Sequence, residues 1–419
     1  MPRRIATRPE RHGFFYGWVI VAVMAVIGAL GMALGSLNFG LFIRPMGDDL
    51  GIGRGAFGLA QSARQVTGAI AAPWVGSLID RFGARILLAV AAVITGAALA
   101  TLGFITSEWQ LIALFGIVGV LGVSGPGALV VNVPVMKWFV RKRGRALAYM
   151  SLGAPVGGVL FVPATQLLID GVGWRGAWIV LAAVGAGLIV PMALIFVRRQ
   201  PEDYGLRPDG EPAPELSSPR PATELSWTRA EALRSGTFWR LVIAFSLFGF
   251  AVSAIALHRI AAFMDRGMDP TIISLATAVD AGASGVATFT MGMLIHRVPA
   301  RFLGAIGFLI LAVASVLTIV AHDHYVMFVS MSVFGLGIGT WILVEGYLWA
   351  SYFGREHLGS IRGAVMPLTL IAGGAGAPIA GYIRDLTGAY EPFWYGAVAI
   401  MLVSIVILVF TPPPVRAAG

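Results

Sequence analysis

Seven polar or ionisable side chains stand inside long apolar stretches of this 419-residue sequence: Asn38, Arg64, Asn132, His258, Arg259, Asp280 and Glu345. A charge in an apolar surrounding is costly unless it is paired, so each position is a functional candidate by default. The residue types suit proton and anion handling. A carboxylate such as Asp280 or Glu345 can take and give a proton, an imidazole titrates near neutral pH, and a guanidinium can hold an anion. Bond-making chemistry is not suggested, because no nucleophile, base and acid cluster together. There is no cysteine, and the six histidines have no metal-ligand spacing, so neither a disulfide nor a metal centre is expected. No Gly-x-x-x-x-Gly-Lys-Ser/Thr phosphate loop occurs, so no ATPase and no cofactor are expected.

The elements that hold these residues follow from composition. The chain is 57% hydrophobic and 12% charged, with a mean hydropathy of +0.82. A water-soluble core cannot hide that much apolar surface, so lipid is the solvent. In hydrocarbon each span must satisfy its own backbone, and the apolar runs are far too long and unalternating for barrel strands, so the spans are helices. Twelve are expected: 16–42, 57–79, 86–106, 111–136, 146–169, 177–197, 237–262, 271–295, 302–321, 325–351, 363–383 and 393–411. Residues 170–178 form a short turn. The expected division is a tail (1–13), a six-helix bundle (14–197), a polar linker (198–236) that ends in a short surface helix, a second six-helix bundle (237–411) and a tail (412–419).

The net charge of +9 could suggest nucleic acid. Its distribution argues against that. Of the 30 lysines and arginines, 23 fall on one side of the expected spans, among them those of the N-terminal tail, KWFVRKRGRA and the linker. That asymmetry places both termini in the cytoplasm of a multi-pass protein of the inner (plasma) membrane. The same charges suit anionic lipid headgroups.

GSLIDRFGAR (76–85) is a charged turn between two apolar runs, and GMLIHRVPAR (292–301) repeats it 216 residues later. A repeat of that period implies two related bundles. The pattern Gly-x-x-x-Asp-Arg-x-Gly-x-Arg resembles the loop signature of the major facilitator superfamily of transporters. Gly76, Asp80, Arg81, Gly83 and Arg85 supply it in full. Gly292, Arg297 and Arg301 keep it in part, with His296 in place of the Asp. FYGWVIV (15–21), NFGLFIRPM (38–46), KWFVRKRGRALA (137–148), GWRGAW (173–178), RRQPEDYGLRPDG (198–210), YFGREHLGSIRG (352–363) and GYIRDLTGAYEPFW (381–394) are similar to the bacterial relatives of monocarboxylate and oxalate/formate transporters.

The resemblance implies an all-α membrane protein of twelve helices, in two bundles related by pseudo-twofold symmetry, working by alternating access. It implies a small-molecule substrate, an organic anion such as a carboxylate, coupled to protons. The working unit is expected to be a monomer. It also implies a cytoplasmic latch at Asp80, with the 362–363 region as partner. Monocarboxylate transporters carry Arg four residues after the Asp matched by Asp280; this chain has Ser284 there. Arg64 and Arg259 are then the cations left to hold an anion. Arg64 and Asp280 are repeat-equivalent, each sixteen residues before position 80 or 296, so about 24 Å along the helix. They are expected to meet across the bundle interface as a gate, or else to be solvated separately. Arg259 could also snorkel to the lipid interface, and Glu345 could tie helices together. Asn132 lies near the repeat position of Glu345 and could bond a polar substrate. GAPVGG (153–158) and GGAGAPIAG (373–381) lie near the Gly-Pro pattern of drug/proton antiporters, which keeps export of amphipathic compounds as the alternative.

Overall fold

The computed structural model describes residues 15–33, 35–121, 129–139, 142–201, 206–210, 227–295, 297–354 and 357–414. The helices in chain order are α1 (Gly17–Ala33), α2 (Ser36–Phe39), α3 (Ile43–Leu50), α4 (Arg54–Phe82), α5 (Ala84–Leu102), α6 (Glu108–Leu121), α7 (Leu129–Trp138), α8 (Arg143–Ser151), α9 (Gly153–Phe196), α10 (Arg229–Arg234), α11 (Gly236–Asp265), α12 (Pro270–Leu294), α13 (Ala300–Val320), α14 (His324–Phe353), α15 (Leu358–Thr387) and α16 (Glu391–Val409). Nine helical segments among the described residues are long and apolar enough to cross a membrane. The longest runs 53 residues, Gly144–Phe196. At 1.5 Å per residue that is about 80 Å, far beyond the ~30 Å of hydrocarbon. Gly173 breaks it, with φ 71 and ψ 168. Two arms result, 153–172 and 174–196, and each is one span. The turn expected at 170–178 is therefore a one-residue break, because glycine alone reaches that backbone conformation without strain.

The two halves repeat one packing scheme. In the first half α1 lies on the first arm of α9, α4 on α6, and α5 on the second arm of α9. In the second, α11 lies on α15, α12 on α14, and α13 on α16. Between halves, α4 meets α15 and α12 meets the first arm of α9. Exchanging the halves maps one seam onto the other, which is the pseudo-twofold relation the repeat implies.

Helix ends differ from the expected spans in instructive ways. The first span was expected to be continuous over 16–42. Instead α1 ends at Ala33, and the chain resumes through α2, a 3-10 turn at Gly40–Phe42 and α3 to Leu50. The expected surface helix at the end of the linker is α10. Thr228 and Glu231 form a capping box there, each side chain bonding the other's backbone N–H. Asp269 caps α12 and Asp323 caps α14, accepting from Ile272 and Val326. These caps start the helices at Pro270 and His324, one residue before the expected spans.

The two motif copies make different turns. After the first, α4 runs to Phe82 and one residue, Gly83 (φ 80, ψ 153), leads directly into α5. Arg81 and Arg85 are exposed, and the Arg81 guanidinium lies 5.2 Å from the Phe82 ring centroid. After the second, α12, which contains Gly292, ends at Leu294, and the Arg297 N–H bonds the Leu294 carbonyl at 2.8 Å. Pro299 (φ −54) then caps α13, where the Arg301 guanidinium lies 4.8 Å from the Phe302 ring centroid. Proline cannot adopt the conformation of Gly83, so the second turn is longer. The end of the molecule that carries these turns is called the motif end below. The Asp80 side chain and His296 lie outside the described residues.

Small residues set the helix spacing, as expected where no hydrophobic force draws helices together in lipid. A Cβ on Gly153 or Gly157 would lie 2.0 Å from the Ala25 carbonyl oxygen or 2.3 Å from that of Ala29 on α1. Gly153→Val and Gly157→Val should each lower stability by about 1–3 kcal/mol, the usual range for overpacking. Gly171→Ala should be near-neutral by the same measurement, thermal unfolding in detergent, because nothing lies within 4 Å of it.

Candidate functional site

α11 brings His258 and Arg259 into the interior, and α12, the next helix, brings Asp280 opposite. Arg259 donates from Nη2 to Asp280 Oδ2 at 2.5 Å. The pair is buried, Arg259 at 1% exposure and Asp280 at 4%. The Arg259 guanidinium lies 3.8 Å from the ring centroid of Phe334 on α14. The next residue, Gly335, lets α14 come close to Asp280. A Cβ there would lie 2.0 Å from the Asp280 backbone oxygen and 2.9 Å from Oδ1. Sequence reading did not single out Phe334 or Gly335. Their only signal was an aromatic–glycine step in an otherwise apolar run.

The pair is incompletely satisfied. Arg259 Nε and Nη1 and Asp280 Oδ1 have no hydrogen-bond partner. A guanidinium has five N–H donors, and a carboxylate can accept at both oxygens. Buried groups of this strength are normally bonded. The unused donors are therefore a capacity for a second anion, and the unused oxygen is a place for a proton.

This arrangement corrects the pairing expected from sequence. Asp280 binds Arg259, its neighbour on the adjoining helix, and not Arg64. Nor does Arg259 snorkel to lipid. Arg64 is buried in α4 at 7% exposure, and Gly119 of α6 packs against its backbone carbonyl. His258 is fully buried; its Nε2 donates to the Ala377 carbonyl on α15 at 2.8 Å, and its ring stacks on Tyr390. Donating to a carbonyl places the proton on Nε2. Asn38 donates to the Thr165 hydroxyl at 2.9 Å. Glu345 and Arg362 approach to 4.0 Å near the motif end. Arg362 thus faces Glu345, whereas the expected latch with Asp80 falls on a side chain outside the described residues, as does any role of the Asn132 side chain. Trp341, one turn before Glu345, lies edge-on to Phe248 and leaves its indole N–H unpartnered.

Paired helical halves around scarce buried charges define a multi-pass membrane transporter of small organic solutes, and the comparisons agree. The family model of the Major Facilitator Superfamily matches residues 21–264 and 260–419, and the chain belongs to that family. Monocarboxylate transporter 11 of Mus musculus is 28% identical over 404 residues, covering 90% of this chain and 83% of that protein. The oxalate:formate antiporter of Oxalobacter formigenes is 28% identical over 237 residues, 55% of this chain and 51% of that one. Among solved structures, a bacterial homolog of the human lysosomal transporter Spinster, inward-facing and unoccupied, shares the fold. Its TM-score is 0.68 at 15% identity, over 97% of this chain and 96% of that one.

Breaking a buried ion pair from one side leaves an uncompensated charge, at a typical cost of about 3–5 kcal/mol, whereas replacing both partners by apolar residues is often neutral. Arg259→Met alone should therefore lower the unfolding temperature markedly. Arg259→Met with Asp280→Leu should recover most of that loss in a double-mutant cycle read by thermal unfolding.

Proposed function

We propose that this chain carries organic anions of the carboxylate class together with protons. Arg259 is the anion-binding cation and Asp280 the proton acceptor. The observation that carries the reading is the buried pair with unused donors on one side and an unused acceptor on the other. In the absence of substrate the two charges neutralise each other. A substrate carboxylate that takes the free Arg259 donors competes with Asp280 for the same guanidinium. Asp280, released from its partner in a low-dielectric site, then favours its protonated form. One anion and one proton thus enter as a neutral set. Ser284, where monocarboxylate transporters have Arg, leaves the cation to come from α11. Arg64 is a buried cation on the other half.

The relatives named for monocarboxylates, oxalate and formate support the same substrate class. The clustering of basic residues at the motif end supports a cytoplasmic motif end and cytoplasmic termini in the inner membrane. A proton-coupled exporter of amphipathic compounds is the second reading. It is favoured by an apolar groove of about 440 Å³ between the first arm of α9 and α12, lined by Leu152, Pro155, Val159, Leu160, Val286 and Phe289.

A thermal-shift screen of the purified protein against organic acids and drugs would first find a ligand, since binding to the folded state raises its stability. In proteoliposomes with an imposed pH gradient, Asp280→Asn should abolish proton-driven accumulation while retaining substrate exchange. Arg259→Lys should weaken apparent affinity by about tenfold or more, because it loses the planar fork. Proton-driven accumulation at the parent rate in Asp280→Asn would end the coupling proposal. Drug binding without any carboxylate binding would favour the exporter.

A further inference from the structure

At the end opposite the motif, two aspartates of the second half grip the first half. Asp385, two residues before the end of α15, accepts from the backbone N–H groups of Arg54 and Gly55 at 2.8 Å each. Those are the first two residues of α4. Asp385 therefore caps a helix of the other half, where a carboxylate meets both unbonded amides and the positive end of the helix dipole. No side chain of the chain's own Gly53, the N-cap position, does this. The Arg54 side chain, 7% exposed, reaches Asp265 at the end of α11, with Nη2 to Oδ1 at 3.1 Å. Arg384 binds the other oxygen of Asp265 at 3.2 Å. Arg44 of α3 lies 3.9 Å from Asp265 and also donates to the Met264 carbonyl.

The backbones beneath are in contact. A Cβ on Gly58 of α4 would lie 2.4 Å from the Pro378 Cα on α15, and one on Gly381 would lie 2.6 Å from the Arg54 carbonyl oxygen. This end can open only if the bonds of Asp385 to the start of α4 and of Asp265 to Arg54 and Arg44 break, since those partners sit on opposite halves.

We infer that Asp385 and Asp265 form an electrostatic latch that holds the end opposite the motif closed, with the start of α4 as its catch. The latch needs no substrate, and it stands or falls separately from the carboxylate reading. Asp48, 67% exposed, lies 4.0 Å from Arg54 and 3.7 Å from Arg44, both on its own half, so its ion pairs do not join the halves.

The chain has no cysteine, so introduced thiols report without background. Phe104 of the first half and Tyr325 of the second are exposed near this end, at 72% and 78%. Spin labels at Phe104→Cys and Tyr325→Cys measure the gap by pulsed dipolar spectroscopy. A single distance population is expected in the parent. Asp385→Asn and Asp265→Asn should each raise a longer-distance population by roughly tenfold relative to the short one, the change given by about 1.4 kcal/mol. Asp48→Asn should match the parent. If the Asn variants fail to fold, the labelled parent itself gives the answer at about 1 M salt, where the screening length falls to ~3 Å. The longer population should grow there too. Distances unchanged in folded Asn variants, or unchanged by salt where those variants do not fold, would overturn the latch.

Discussion

A charge in hydrocarbon has no water to fall back on. Moving a guanidinium or carboxylate out of water costs several kcal/mol per ion, so each must be met inside the protein. Arg259 and Asp280 meet that constraint only in part. They neutralise each other through one short bond and leave three polar atoms without partners. The surrounding packing is close: Phe334 covers the guanidinium face, and Gly335 admits α14 so near that a Cβ there would meet the Asp280 backbone oxygen. A fully bonded pair would be a structural tie. An under-bonded one is poised to exchange partners, and a transporter needs a charge that is stable in two states.

The halves share a packing scheme but differ in chemistry. The repeat places Arg64 and Asp280 at equivalent positions with opposite charge. Asp280 takes its partner from the adjoining helix, because α11 supplies Arg259 at the same level. The turns diverge likewise, a single Gly83 in one copy and a Pro299-capped loop in the other. Duplication supplied the frame, and the substitutions within it made the halves unequal.

Most of the helical frame was legible in the sequence. Apolar runs have hard edges where a charge enters, so α5, α12, α13 and α16 begin and end within a few residues of expectation. The breaks at Gly35 and Gly173 were not, since an apolar run continues through both and hydropathy is blind to backbone angles. Arg259 and Asp280 were each visible as charges in apolar runs, yet their partnership was not. Sequence gives depth along a helix but not the face on which a side chain stands. Repeat symmetry pointed to Arg64, at matching depth in the other half. The hairpin neighbour won because consecutive helices are usually adjacent in space. The latch residues escaped notice for another reason. Asp265, Asp385 and Arg54 sit at helix ends, where a charge reads as an ordinary contact with water or headgroups.

The pair proposed for transport and the inferred latch share one helix. Arg259 and Asp265 lie six residues apart on α11, about 9 Å at the helical rise, with no break between them. Their partners are on different bodies: Asp280 belongs to the same half, whereas Arg54 belongs to the other. His258, beside Arg259, ties α11 to α15 through the Ala377 carbonyl, and α15 carries Asp385. On the proposed mechanism, a shift of α11 that accompanied partner exchange at Arg259 would be delivered to both aspartates of the inferred latch at once. Packed helices move between discrete arrangements and do not deform smoothly, so a small displacement at the pair can release a contact at the end of the same helix.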